Sequence, residues 1–158
     1  MNYAFIDSQN LNLGVQELGW RLDWKKFRIY LKHKYKVERA YLFIGFVEDN
    51  GNMYRLLQSY GFILVFKPTL KDGKGNIKGN VDADLVLRAM VDKEEYDQAI
   101  IVTSDGDFYC LVEYLYGNNK LRCVISPCKK YCSTLLQRAA KEKIHYMDNL
   151  CKKLQYLK

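Results

Sequence analysis

Gln98-Ala99-Ile100-Ile101-Val102-Thr103-Ser104-Asp105-Gly106-Asp107-Phe108 is the stretch that decides the fold class. A short apolar, β-branched run over Gln98–Thr103 predicts a strand. Asp105-Gly106 is a turn pair, and apolar residues at helical spacing follow over Asp107–Tyr116. Strand, tight acidic turn and helix in direct succession are one half of a βαβ unit.

The same alternation runs outward in both directions. Tyr3–Asp7 is an apolar run ending in a carboxylate and predicts a first strand. Asp23–Lys34 places Trp24, Phe27, Tyr30 and Leu31 on one face of an amphipathic helix. Val37–Val47 predicts a second strand, Met53–Tyr60 a helix stopped by Gly61, and Phe62–Phe66 a third strand. After Gln98–Thr103, the fourth strand, come a fifth strand at Leu121–Ile125 and helices at Ser133–Lys143 and Asn149–Leu157. Short strands alternating with longer helices predict a three-layer α/β/α sandwich. Its sheet is mainly parallel, with five strands or more in the order 3-2-1-4-5 and right-handed crossovers. With 158 residues, no linker and no repeat, residues 1–158 read as a single domain.

One segment departs from this texture. Lys67–Asn80 reads KPTLKDGKGNIKGN, full of turn residues, with Lys67, Lys71, Lys74 and Lys78. It predicts an exposed loop or hairpin turning at Asp72-Gly73 or Gly75-Asn76, before a helix over Val81–Lys93 with Leu85, Val86, Ala89 and Met90 on one face.

Composition narrows the class. The chain has 25 Lys and Arg against 18 Asp and Glu, a net charge of +7, and is 49% hydrophobic. That supports a full core and points to a polyanionic partner. No apolar run approaches the roughly 20 residues of a membrane span. The start, Met-Asn-Tyr-Ala-Phe-Ile-Asp, lacks the basic region of a signal peptide. Five cysteines, an odd number, fit free thiols and a cytoplasmic location. Cys123, Cys128 and Cys132, with Cys151 further on, are loosely spaced like metal ligands but form no paired CxxC. Cys110 and Cys123 read as core residues.

The carboxylates carry the chemistry. Asp7 ends the first strand, Asp82 and Asp84 open the helix after the lysine-rich segment, and Asp105 and Asp107 follow the fourth strand. In a 3-2-1-4-5 sheet the first and fourth strands meet where the order reverses, the usual ligand crevice of open α/β sheets. Asp7 and Asp105 then lie side by side, with Asp82 and Asp107 reaching in from helix N-termini. Crowded carboxylates raise one another's pKa unless a counter-charge intervenes. Mg²⁺ or Mn²⁺, which take oxygen ligands, would supply it, and either could activate water against a phosphodiester. Each aspartate also has a plain reading as helix cap, first-turn acid or turn residue. The argument for chemistry is their convergence on one sheet edge.

Other constellations fail on particular residues. Phe66-Lys67-Pro68 holds no phosphoacceptor aspartate for a receiver domain. Gln9 and Leu11 break a metal-adhesion motif, and neither a GxGxxG nor a Walker loop is present. His33 lies between Lys32 and Lys34 on a solvated face. Among the basic clusters, Lys25–Arg39 reads mostly as solvated helix surface, whereas Lys67, Lys71, Lys74 and Lys78 border the acidic edge and are the best candidates to grip a nucleic-acid backbone. Lys129, Lys130, Arg138, Lys141 and Lys143 form a third cluster.

Phe5-Ile6-Asp7-Ser8-Gln9-Asn10, Lys78-Gly79-Asn80-Val81-Asp82-Ala83-Asp84-Leu85 and Ser104-Asp105-Gly106-Asp107-Phe108, with Ser126-Pro127, Ser133 and Leu136 as a weaker fourth piece, together resemble the NYN domain family, the LabA-like branch of the PIN-like nucleases. The resemblance implies a PIN-like sheet and a metal-dependent ribonuclease site. In it Asp7, Asp82, Asp105 and Asp107 would be the acidic, metal-holding set. Asn10, Ser104 and Asp84 would support them, RNA would be the substrate, and Mg²⁺ or Mn²⁺ the cofactor. One departure is Arg138-Ala139-Ala140-Lys141, where relatives often carry an acid. Since some PIN-like domains bind RNA without cutting it, a non-catalytic RNA-binding or regulatory module is the alternative. Oligomeric state is left open, a homodimer included.

Overall fold

The structure is a computed structural model that describes residues 1–68, 70–71, 77–78 and 82–158. The chain runs β1 (Asn2–Asp7), α1 (Ser8–Glu17), α2 (Trp24–Tyr35), β2 (Val37–Phe46), α3 (Gly51–Ser59) and β3 (Phe62–Pro68). Next come two short strands, β4 (Leu70–Lys71) and β5 (Ile77–Lys78), then α4 (Asp82–Val91) and β6 (Ala99–Val102). A 3₁₀ turn at Gly106–Phe108 leads into α5 (Tyr109–Gly117), followed by β7 (Leu121–Ser126), α6 (Thr134–Ala140), β8 (Ile144–Tyr146) and α7 (Cys151–Leu154).

The main sheet has six strands in the order β3-β2-β1-β6-β7-β8, and every pairing in it is parallel. This is the expected 3-2-1-4-5 arrangement with one more strand at the far edge. Ile144–Tyr146 supplies it, pairing with Val124–Ser126. The lysine-rich segment forms an antiparallel pair, Leu70 opposite Lys78 and Lys71 opposite Ile77. Its expected turn at 72–76 lies outside the described residues, as do Lys74 and the side chains of Lys71 and Lys78.

Alternation along the strands divides the interior into two cores. Ala4, Ile6, Ala40, Leu42, Ile100 and Val102 point to one face, where Leu11 and Val15 of α1, Phe27 and Leu31 of α2 and Leu154 of α7 cover them. Tyr3, Phe5, Tyr41, Phe43, Ala99 and Ile101 point to the other, beneath Leu85 and Ala89 of α4, Leu111 and Leu115 of α5 and Leu136 of α6. Burial on both faces explains why β1 and β6 read as unbroken apolar runs.

Local signals set the element ends. Asp23 caps α2, accepting a hydrogen bond from the Lys26 amide at 3.1 Å. Gly61 turns the chain from α3 into β3 at φ +101°, in the left-handed region that glycine tolerates. Arg28 departs from the solvated surface of its cluster: its guanidinium donates to the carbonyls of Gly61, Val37 and Glu38, tying α2 to the start of β2. Cys110, expected in the core, is exposed. It sits on the outer side of α5, whose inner side is taken by Leu111, Val112 and Leu115.

Candidate active site

β1 and β6 are neighbours, yet the chain visits β2 and β3 on one side before returning to β6 on the other. Their carboxyl ends therefore open onto the crevice where strand order reverses. Asp7 is the last residue of β1 and the N-cap of α1. Its Oδ1 accepts from the Asn10 amide at 3.3 Å and its Oδ2 from the Thr103 hydroxyl at 3.3 Å. The side chain is only 6% exposed. Burial is the main force raising its pKa to about 6. Asp82 and Asp105 push it further up, against the lowering effect of the two hydrogen bonds.

Asp105 follows β6 and caps the 3₁₀ turn, accepting from the Asp107 amide at 2.9 Å. Its own amide donates to the Thr103 hydroxyl oxygen at 3.1 Å. The Thr103 hydroxyl thus joins the ends of β1 and β6, a role its place in the sequence did not announce. No local pattern marks it, because the contact with Asp7 spans 96 positions.

Asn10 holds the next residue of that loop. Its Oδ1 accepts from both the Ser104 amide at 2.8 Å and the Ser104 hydroxyl at 3.0 Å. The Asn10 backbone amide thus donates to Asp7, while its side chain holds Ser104. Gly106 passes so close to Ser133 that a Cβ there would overlap the Ser133 side chain, and the Ser133 amide donates to the Ser104 carbonyl at 3.1 Å. The loop is pinned at each step.

Asp82 enters from the first turn of α4. Burial raises its pKa, Asp105 and Asp107 add to the effect, and Lys67 opposes it. One carboxylate oxygen from each of Asp7, Asp82 and Asp105 lies within 4.8 Å of the others. Asp107 is outside that trio: it is exposed, and lines the same cleft. Asp84 faces Lys67 instead, with Nζ 3.8 Å from Oδ2 in a solvent-exposed pair of small energetic weight. Lys67 is thereby placed at the acidic edge, as expected.

The donor set fits a hard divalent ion. Three oxygen ligands converge, and burial, with the neighbouring carboxylates adding to it, raises the pKa values of Asp7 and Asp82, a cost that such an ion relieves. Among the described residues the cysteines form no comparable group. The carboxylates stand at one end of a cleft of about 830 Å³, whose remainder is walled by residues of α1, the end of β2 and α3.

The doubly wound parallel sheet and the acidic trio at its point of strand reversal place the chain among α/β domains with an acidic ligand crevice. Within that class, the chain belongs to the NYN domain family, whose model matches residues 3–148. It is 26% identical over 132 residues to the low amplitude and bright protein LabA of Synechococcus elongatus, a match covering 77% of this chain and 71% of LabA. A crystal structure of a protein of unknown function from Vibrio parahaemolyticus shares the fold, with a TM-score of 0.79 at 23% identity over 97% of this chain and 94% of that one. Family membership indicates a nuclease-like, RNA-related role. Among the described residues no helix is long and apolar enough to cross a membrane.

Proposed function

We propose that this protein is a Mg²⁺- or Mn²⁺-dependent ribonuclease formed by residues 1–158 as one domain. The observation that carries the reading is the convergence of Asp7, Asp82 and Asp105 within 4.8 Å at the strand reversal. These three residues would hold the ion. Bound there, it supplies Lewis-acid stabilisation of a phosphodiester and lowers the pKa of water.

The protein's own groups do the rest. Asp107, exposed at the rim, accepts the proton of the attacking water. As the water oxygen bonds to phosphorus, one ester P–O bond breaks and the departing ribose oxygen takes a proton from solvent. Lys67 draws the phosphate backbone towards the acids, and Lys71, Lys74 and Lys78, close to it in the sequence, are assigned the same task. Asn10, Thr103 and Ser104 keep Asp7 and Asp105 in register through the hydrogen bonds described above, and Asp84 orients Lys67. Five free thiols fit work in a reducing cytoplasm.

The test is a fluorescent single-stranded RNA incubated with purified protein, with Mn²⁺ or with chelator. Cutting is expected only with the metal, and is expected to fall by at least about 100-fold in Asp7→Asn and Asp105→Asn. Metal-dependent cutting that persists unchanged in both variants overturns the assignment. Salt-sensitive RNA binding with no turnover, and no effect of Mn²⁺ on melting temperature, would assign the protein to the non-catalytic RNA-binding modules instead.

A further inference from the structure

The cleft does not end at the carboxylates. Beyond them it continues into a chamber with Leu13, Val47 and Met53 on its walls; Phe43, also in its lining, turns its ring into the core on the opposite face of the sheet. Phe43 is almost fully buried, whereas the three wall residues are 52%, 40% and 44% exposed. Asn12 and Asn50 line the same chamber, both half-buried. Among the described residues neither side-chain amide has a hydrogen-bond partner. Asn50 closes the 3₁₀ turn Glu48–Asn50 that runs into α3, so its side chain is not engaged as a helix cap.

Phosphate and ribose have no use for exposed leucine, valine and methionine. A nucleobase does: its two faces are apolar and its edge carries donors and acceptors that an amide can match. Exposed apolar walls and two side-chain amides, opening directly onto the acidic trio, have the chemistry of a single base. We infer that this chamber receives the unpaired base of the nucleotide next to the scissile phosphate, so that the substrate is single-stranded RNA held with one base turned inward. The inference rests on the ribonuclease reading. A duplex cannot use the chamber, because its bases are stacked and paired away from the protein.

The experiment is an abasic scan. A short fluorescent single-stranded RNA is made with one base removed at each position in turn. Binding is measured by polarisation at low salt, with Ca²⁺ replacing Mn²⁺ to permit binding without turnover. One position is expected to lose about tenfold in affinity when its base is removed, the size of one lost stacking contact. That dependence should flatten in Met53→Ala and in the double variant Asn12→Ala, Asn50→Ala, which should otherwise melt like the parent. The same sequence in a full duplex should bind at least about tenfold more weakly.

A flat scan, or equal binding of duplex and single strand, while Mn²⁺ still drives cutting, overturns the pocket and leaves the ribonuclease reading intact. A position-dependent scan with no cutting keeps the pocket and removes the nuclease. Failure to bind any of the oligonucleotides overturns both.

Discussion

Asp7 serves two roles with opposite demands. As helix cap and partner of Thr103 it stabilises the join between β1, α1 and β6. As a buried charge beside Asp82 and Asp105 it strains that join. Its pKa moves from the ordinary 3.8 to about 6, so between those pH values the folded chain holds a proton that the unfolded chain has lost. The stabilising contribution of the neutral form is complete below about pH 4 and disappears as pH rises through about 6. Asp7→Asn removes this penalty. In chelator at pH 7.5 the variant is expected to be more stable than the parent by up to about 3 kcal/mol, less whatever the altered hydrogen bonds cost. The gap should close as the pH falls towards 4.5. Thermal melts across this range check both sign and trend. A variant less stable than the parent at pH 7.5 would show that the cap outweighs the repulsion.

At the scale of elements, α1 shows a local preference overruled by packing. Gly14 lies in the middle of this helix, where alanine would normally add about 1 kcal/mol of stability. Its missing Cβ, however, is where the Pro127 ring sits, and an added carbon would overlap Cβ and Cγ of that ring. Gly14→Ala is therefore expected to destabilise the fold by about 1–3 kcal/mol, as measured by urea denaturation. A gain in stability would mean that α1 can shift away from the loop after β7.

The helix also marks the limit of legibility. Ser8–Glu17 reads SQNLNLGVQE, and of its apolar residues only Leu11 and Val15 are buried, too thin a stripe to signal a helix. Its cap, Asp7, also ends a strand, which hides the start of the helix. β8 escaped for a related reason. Three residues, Ile144-His145-Tyr146, cannot display a period of two, and only pairing with β7 makes them a strand. The buried strands on either side of the reversal point were plain because long β-branched runs have few other uses. For the same reason the positions of Asp7 and Asp105, one at a strand end and one in the turn after a strand, could be read from sequence together with strand order. The roles of Thr103 and of the Asn10 side chain could not: both act across a contact between residues more than ninety positions apart.

Taken whole, the molecule combines a net charge of +7 with an acidic recess. Binding of single-stranded RNA should release counterions from the phosphates, so the logarithm of affinity should fall linearly with the logarithm of salt concentration. Lys67, beside Asp84 and within the electrostatic reach of Asp82, is placed to contribute one of those contacts. Lys67→Ala is expected to reduce the magnitude of the salt slope by about 0.7, the value for one phosphate on a single strand. Titrations of the parent and variant from 50 to 200 mM salt at about neutral pH test this; an unchanged slope would remove Lys67 from the interface.

The sheet order also dictates a sequence of events during synthesis. β1 sits at the centre of the sheet, with β2 on one side and β6 on the other. The partner on the first side leaves the ribosome early. The partner on the second, including the Thr103 that meets Asp7, is encoded 96 positions later. At ordinary translation speeds the middle strand waits roughly 5–20 seconds with one flank unclaimed. For that interval the nascent protein exposes an apolar strand edge to its surroundings and lacks the second half of its acidic recess. The unfinished chain is thus at its most adhesive before its recess is complete, and the arrival of β6 closes the vulnerable edge and brings the second half of the recess in one step.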